Sequence, residues 1–325
     1  MSAGPHGRVQ GMCDNFLSSA SGGSHVSDNR AGPRGALGVV VVTHNSAAIV
    51  SECLRSIDEH APATGTVRTV VVDSGSTDGS VEIARSQPGV EVVVLGRNAG
   101  YAAGINAGVT ALGAVDAVLA LNPDIRLTDG AVDALTSALG VAGTGIAVPR
   151  IVDDQGAVQH SLRRRPSLLR ATGEALLGGG RAGRISAFGE MIVDAGAYTR
   201  EAVVDWATGA AMLMSRACLQ TVGPWDESFF LYSEETDFSL RAAAAGFATR
   251  FTPDATMVHL GGEAMTSPML YRLLTLNRLA LYRRHHSRVA SACYRGALTV
   301  NELLRAPFAK THRAALRALV AKGAR

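Results

Sequence analysis

A continuous apolar run, Gly38-Val-Val-Val-Val-Thr43, marks the first buried element of the chain. Unbroken runs of this kind belong to parallel strands covered on both faces. Ser46 then precedes a helical period with Ile49, Val50, Leu54 and Ile57 on one face and Pro62 beyond its end. A second strand is predicted over Val67–Val72 ending at Asp73, a turn over Ser74–Gly79, a helix over Val81–Arg85 and a third strand over Val90–Leu95. The Gly- and Ala-rich stretch Asn98–Gly108 predicts a closely packed helix, and Asp116–Leu121 a fourth strand stopping at Asn122-Pro123-Asp124. This β-α-β alternation is the pattern of a nucleotide-binding α/β sheet.

Further along, Gly145–Val148 and Ala210–Met214 read as strands among polar loops, one of them Arg163-Arg164-Arg165-Pro166. A final helical region is predicted from Leu270 to Ala321, broken near Pro307. Residues 1–36 hold thirteen Gly or Ser and no apolar run, so they are expected to form a disordered extension, with Met12 as an alternative start. The expected units are this extension (1–36), a main α/β domain (37–265, halves 37–124 and 125–265) and a basic helical region (266–325).

At 325 residues and 47% hydrophobic the chain can bury a large core, which excludes disorder throughout. The net charge of +3 gives no sign of nucleic-acid binding. From Arg272 to Arg325, however, twelve Lys or Arg face one acid, Glu302, so this tail can meet phosphate or an anionic membrane surface. Cys13, Cys53, Cys218 and Cys293 are scattered without metal-site or redox spacing, as expected of reduced thiols in the cytoplasm. No apolar window suits a membrane span or a secretory leader. There is no GxGxxG fingerprint, no GxxxxGK[ST] loop and no EF-hand spacing.

Ligands of open α/β sheets sit beyond the carboxyl ends of the strands, where Thr43, Asn45, Asp73 and Asp124 fall. Asp73 suits a base or ribose donor, although the segment to Gly79 equally suits a strand–turn–helix junction capped by Ser76 or Thr77. Asn122-Pro123-Asp124 puts a carboxylate after a buried strand; a type I turn is the structural alternative. The densest acidic cluster is Ser233-Glu234-Glu235-Thr236-Asp237, with Ser233 as N-cap and both Glu in the first turn. It can supply a general base, or it can simply favour the helix dipole, with Asp237 and Arg241 paired at i,i+4 spacing. His259 is a structural residue unless Asp124 comes near it, and Arg165 and its neighbours suit phosphate or plain solvation.

In order, VVVVTHN, VVDSGSTDGS, GRNAGYAAGINAG, LALNPDI, WATGAAMLMSR, WDESFFLYSEETDFSLR and VHLGG resemble the motifs of family-2 glycosyltransferases, especially their rhamnosyltransferase-like branch, over about residues 37–290. Each is short; seven in one order are specific. The resemblance implies an inverting GT-A enzyme: a Rossmann-like nucleotide-binding sheet fused to an acceptor-binding half, with a C-terminal helical region. It implies that Thr43, Asn45, Asp73, Ser76, Asn98, Gly100 and Asn106 shape the nucleotide-sugar pocket. Asn122 and Asp124 would stand in the family's DXD-type motif, which is depleted here to one acid. Asp124 and His259 would hold a divalent cation, Mg2+ or Mn2+. Glu235, where the family usually has aspartate, would be the base, with Glu234 in competition. Trp206 and Gly209 would face the acceptor together with Arg165, Trp206 being core in the structural alternative.

The partners so implied are a nucleotide-sugar donor, dTDP-rhamnose first and UDP-sugars next, and a glycan or polyprenyl-diphosphate-linked acceptor used in cell-envelope polysaccharide synthesis. A homodimer and a peripheral contact with the inner face of the plasma membrane are left open. The competing classes are an inactive sugar-nucleotide-binding protein, a nucleotidyltransferase and a membrane-surface module.

Overall fold

The computed structural model describes residues 35–62, 65–261 and 266–321. The expected extension lies outside the described residues up to position 34, as do Cys13, Lys322 and Arg325. Order is already established at Ala36, whose N–H donates to the Asp116 carboxylate at 2.9 Å, so the first strand starts inside the stretch expected to be disordered.

Seven elements build the first half: β1 (Ala36–Thr43), α1 (Val50–Glu59), β2 (Thr66–Asp73), α2 (Ser80–Arg85), β3 (Val90–Val94), α3 (Tyr101–Leu112) and β4 (Ala117–Leu121). Next come β5 (Ile125–Leu127), α4 (Ala131–Leu139), β6 (Thr144–Val152), β7 (Leu162–Arg163), α5 (Leu168–Leu177), α6 (Gly179–Ala182) and a 3-10 turn at Ala195–Tyr198. They are followed by β8 (Ala202–Val204), β9 (Trp206–Ala207), β10 (Ala211–Ser215), α7 (Arg216–Val222), α8 (Glu234–Ala244) and β11 (Ala248–His259). The chain closes with α9 (Pro268–His285), α10 (Arg288–Arg305) and α11 (Lys310–Ala321). The expected break near Pro307 is present, and a second one at His286-Ser287, unmarked by Pro or Gly, separates α9 from α10.

The main sheet runs β3-β2-β1-β4-β10-β6-β11-β5, with β8 added on β11. The first four strands are parallel, β10 is antiparallel to β4 and β6, and β5 runs antiparallel to the end of β11. β1 and β4 are buried along almost their whole length because helices cover both faces, which is why they read as unbroken apolar runs. Val50, Leu54 and Ile57 of α1 pack with α4 on one face; Ile105 and Leu112 of α3 pack with Phe238 of α8 on the other. α3 lies unusually close to the sheet: a Cβ on Gly104 would stand 2.5 Å from Val42 Cγ1. A third cluster joins Ala171 of α5 to Leu279, Tyr294 and Leu319 of the last three helices.

Candidate active site

Strand ends and two loops assemble the donor side. Thr43 and Asp73 face each other in register, and Thr43 Oγ1 donates to Asp73 Oδ1 at 3.2 Å while Ser76 N–H donates to Asp73 Oδ2 at 3.0 Å. Asn45 sits in left-handed backbone (φ 52°); its N–H donates to Ser76 Oγ and its Oδ1 accepts from Thr77 N–H, each at 2.9 Å. Asn98 Oδ1 accepts from Gly100 N–H at 3.2 Å and from Ser74 Oγ at 3.4 Å. Thr43, Asn45, Asp73, Ser76, Asn98 and Gly100 are thus brought to one end of the sheet. Gly79 stands at the N-cap of α2 with no side-chain cap, Asp78 before it accepts from the Ser80 N–H at 3.0 Å, and neither Ser76 nor Thr77 caps the helix. The Ser80 hydroxyl, and next the Ala47 N–H, hold the Asp78 carboxyl below its ordinary range.

Asn106, placed by the resemblance in the same pocket, has its amide turned to the loop before α8. Its amide donates to the Trp225 carbonyl and accepts from the Trp225 N–H, both at 2.9 Å, so it pins the loop before α8.

The register His259↔Ile125 between β11 and β5 sets His259 beside Asp124, with Nε2 3.2 Å from Oδ2. His259 is further held by Gln159: Gln159 Nε2 donates to the His259 carbonyl at 2.9 Å, which leaves Gln159 Oε1 to accept from His259 Nδ1 at 2.8 Å. The Nδ1 proton is therefore committed and Nε2 is the atom directed at Asp124. Asp124 Oδ1 is sealed from solvent without a hydrogen-bond partner. Among the described residues no three His, Cys, Asp or Glu side chains gather at one point. The unpartnered Asp124 Oδ1 and the His259 Nε2, which rests 3.2 Å from Asp124 Oδ2, are a hard and a borderline donor of the kind that would suit a divalent cation sharing its other positions with phosphate and water. Asn122 is held by its backbone, N–H to the Ala210 carbonyl and carbonyl to the Ile125 N–H.

α8 brings the acids. Tyr232 and Ser233 both adopt positive φ, 69° and 78°, a strained entry uncommon outside glycine. Ser233 occupies the N-cap position, but its side chain makes no capping bond, contrary to the expected cap. The bend turns Glu234 and Glu235 inward, each with an Oε2 that is buried and unpaired. Burial, and then the neighbouring Glu235 charge, push the Glu234 carboxyl well up. Burial raises Glu235 to about 7, with helix N–H groups and the Arg163 charge holding it down in part. Glu235 keeps partial solvent access while Glu234 is 3% exposed. Asp237 pairs with Arg241 at 2.7 Å, as the spacing predicts.

Gly209 lies against Glu235: a Cβ there would stand 3.3 Å from Glu235 Cβ. Its carbonyl accepts from Tyr101 Oη at 3.1 Å. The phenol's pKa is raised by burial first, then by the charges of Glu234, Glu235 and Asp124, which places it among all three acids. Tyr101 and Gln159 escaped the sequence reading, since neither type carries a motif signal beyond Tyr101's place inside GRNAGYAAGINAG.

Trp206 takes the core alternative: it is 8% exposed, donates from Nε1 to the Arg164 carbonyl at 3.1 Å and is covered by the Arg163 guanidinium. It offers no open indole face to a sugar. The expected polar loop at Arg163-Arg164-Arg165 is likewise only partly so. Arg163 lies in β7 and donates to the Leu162 carbonyl at 3.0 Å, Arg164 donates to the Gly189 carbonyl at 2.9 Å, and only Arg165 is exposed.

A family model for glycosyl transferase family 2 matches residues 38–195, and one for glycosyl transferase family group 2 matches residues 183–274. An N-acetylglucosaminyl-diphospho-decaprenol L-rhamnosyltransferase of Mycobacterium tuberculosis is 30% identical over 241 residues, covering 69% of this chain and 75% of that protein. The chain belongs to glycosyl transferase family 2. The fold of this family-2 glycosyltransferase is shared with solved structures. A mannosyltransferase from Pyrobaculum calidifontis in complex with GDP-Man and Mn2+ aligns with TM-score 0.54 and 18% identity, over 89% of this chain and 79% of that one. GalNAc-T7 with UDP, GalNAc and Mn2+ aligns with TM-score 0.53 and 15% identity, over 75% of this chain and 48% of that one. The chain therefore spans about half the length of the latter. Among the described residues no helix is long and apolar enough to cross a membrane.

Proposed function

We propose that this glycosyltransferase moves L-rhamnose from dTDP-rhamnose onto a hydroxyl of a polyprenyl-diphosphate-linked N-acetylglucosamine, with inversion at the anomeric carbon. The rhamnosyltransferase relative supports the donor and acceptor classes. The observation that carries the chemistry is Glu235: a carboxyl raised to about 7 on a half-buried residue, packed on Gly209, whose carbonyl is held by the Tyr101 hydroxyl. A base with a pKa near the working pH combines ionisation with proton affinity.

Glu235 takes the proton of the acceptor hydroxyl as its oxygen attacks the anomeric carbon. A single displacement leaves no covalent sugar on the enzyme, hence inversion. The loops around Thr43, Asn45, Asp73, Ser76, Asn98 and Gly100 bind the nucleotide. Asp124 and His259 would hold Mg2+ or Mn2+, which when bound would supply positive charge to the departing diphosphate. Glu234 stays neutral behind Glu235, and Arg165 is the exposed cation on the acceptor side. A lipid-linked acceptor puts the reaction at the inner face of the plasma membrane.

The test is a panel of dTDP-, UDP- and GDP-sugars with Mg2+ or Mn2+, reading nucleotide release and donor-induced thermal shift. Turnover with dTDP-rhamnose, and Glu235→Gln that binds donor without turning it over, is the expected result. Donor binding without turnover by the parent chain under every metal condition would leave an inactive binding protein and end the proposal.

A further inference from the structure

The C-terminal ends of α5 and α10 carry a face that the fold leaves uncovered. Arg305 of α10 donates to the carbonyls of Ala175 at 3.0 Å and Glu174 at 3.1 Å. The guanidinium thereby satisfies the free carbonyl end of α5 and fixes the two helix ends side by side. Leu176 and Leu177 of α5 are so brought to the same end as Leu303 and Leu304 of α10 and Phe308, whose N–H returns to the Arg305 carbonyl at 3.0 Å. All five are exposed, Leu176 by 67% and Phe308 by 86%. An isolated exposed leucine is ordinary; a group headed by an aromatic side chain standing almost free in water is an interaction surface.

Its rim has one sign. Arg181 and Arg184 follow α5, and Lys310 and Arg313 follow Phe308, all exposed. Among the described residues, α5, α6, α10 and α11 contain two acids, Glu174 and Glu302. Both are turned inward: Glu174 is bound by Arg278 at 2.9 Å, and Glu302, 2% exposed at its side chain, by His312 at 2.6 Å. A second copy of the chain docking here would set two basic rims against each other, at an electrostatic cost. An anionic lipid surface matches both the apolar centre and the basic rim.

We propose that this face seats the protein on an anionic phospholipid bilayer, with Phe308, Leu304 and Leu176 entering the headgroup boundary and Arg181, Arg184, Lys310 and Arg313 meeting lipid phosphates. The inference stands apart from the donor and acceptor assignment, because binding to lipid is read without turnover.

The test is flotation of the full chain with vesicles of phosphatidylcholine alone and of phosphatidylcholine with about one third phosphatidylglycerol, at low and high salt. The parent is expected to float with the anionic vesicles and to be released in part by salt. Phe308→Asp with Leu304→Asp is expected to lower the bound fraction at least about tenfold, and Arg181→Glu with Lys310→Glu similarly, with melting temperature and nucleotide release unchanged. Phe308→Ser, which adds no charge, is expected to lie between. No preference for anionic vesicles, or binding that both double variants leave intact, overturns the proposal. So does a dimer seen by sedimentation without lipid that Phe308→Asp dissolves, since the face then belongs to a second copy.

Discussion

Gln159 grips His259 twice, by Nε2 to its backbone carbonyl at 2.9 Å and by Oε1 to its ring Nδ1 at 2.8 Å. The amide cannot be turned round without losing the bond to the carbonyl, so the ring is fixed with Nε2 toward Asp124. Outer partners of this kind set the tautomer and orientation of a ligating imidazole. Gln159→Leu is therefore expected to weaken Mn2+ binding in the presence of nucleoside diphosphate by about tenfold or more, read by titration calorimetry, with His259→Ala at least as severe. Equal Mn2+ affinity in the Leu variant and the parent would show that the ring needs no such support.

The buried carboxyl of Glu235 gives a pH dependence with a definite sign. Ionisation raises kcat/KM as pH climbs through about 7. Stability moves the other way. The folded pKa lies above the ordinary value of 4.5, so the folded chain binds more protons in between, and this group's contribution is greatest below 4.5 and is lost as pH rises through about 7. Glu235→Gln is expected to raise the melting temperature above pH 7 and to leave it nearly unchanged in acid, while abolishing turnover. Burial and the Glu235 charge push the Glu234 carboxyl well up, so it adds no charge beside Glu235 as the limb rises, and Glu234→Gln should leave the profile in place.

Arg163 acts on that profile from the opposite side. Its guanidinium covers Trp206 and its charge lowers the Glu235 carboxyl. Arg163→Gln is expected to shift the rising limb of kcat/KM to higher pH and to recover rate in alkali. A rate loss of the same size at every pH would show that the role is packing alone.

Gly209→Ala places a methyl 3.3 Å from Glu235 Cβ and 3.5 Å from its Cγ, close enough that the carboxylate must shift by a few tenths of an ångström. Catalytic geometry tolerates such displacement poorly, so kcat should fall about tenfold while donor-induced thermal shift is retained. Loss of donor binding instead would place Gly209 on the nucleotide side.

Gly104→Ala tests the seating of α3 on the sheet. The added methyl meets Val42 Cγ1 at 2.5 Å in a fully buried layer, and overpacking of this kind costs about 1–3 kcal/mol. Urea unfolding should show a lower midpoint, with the slope unchanged.

The sheet's first half was legible residue by residue. The valines of β1 and β2 and the apolar run of β4 are unbroken because helices cover both faces, and α3's small residues declare its close approach. Asp237 with Arg241 was legible for the same reason, since i,i+4 geometry is local. The break at His286-Ser287 was not, because Ser287 ends one helix and caps the next without a Pro or Gly to mark it. Trp206, Arg163 and Arg164 were left open for a related reason: an indole or guanidinium is buried or open according to what crosses it, and here that is the pairing of β7 with β9.

The sequence by itself determined the α/β class, the succession of the first four strands along the chain and which residues stand at their carboxyl ends, because burial and turning leave a periodic trace within a few residues. Tertiary structure decided the rest. It set Asp124 beside His259 through the β5–β11 register, gave Glu235 an opening that Glu234 lacks through the strained bend at Tyr232-Ser233, and spent Asn106 on Trp225. These pairings join segments far apart in the chain, and their geometry follows from how strands align and helices seat, which no local pattern records.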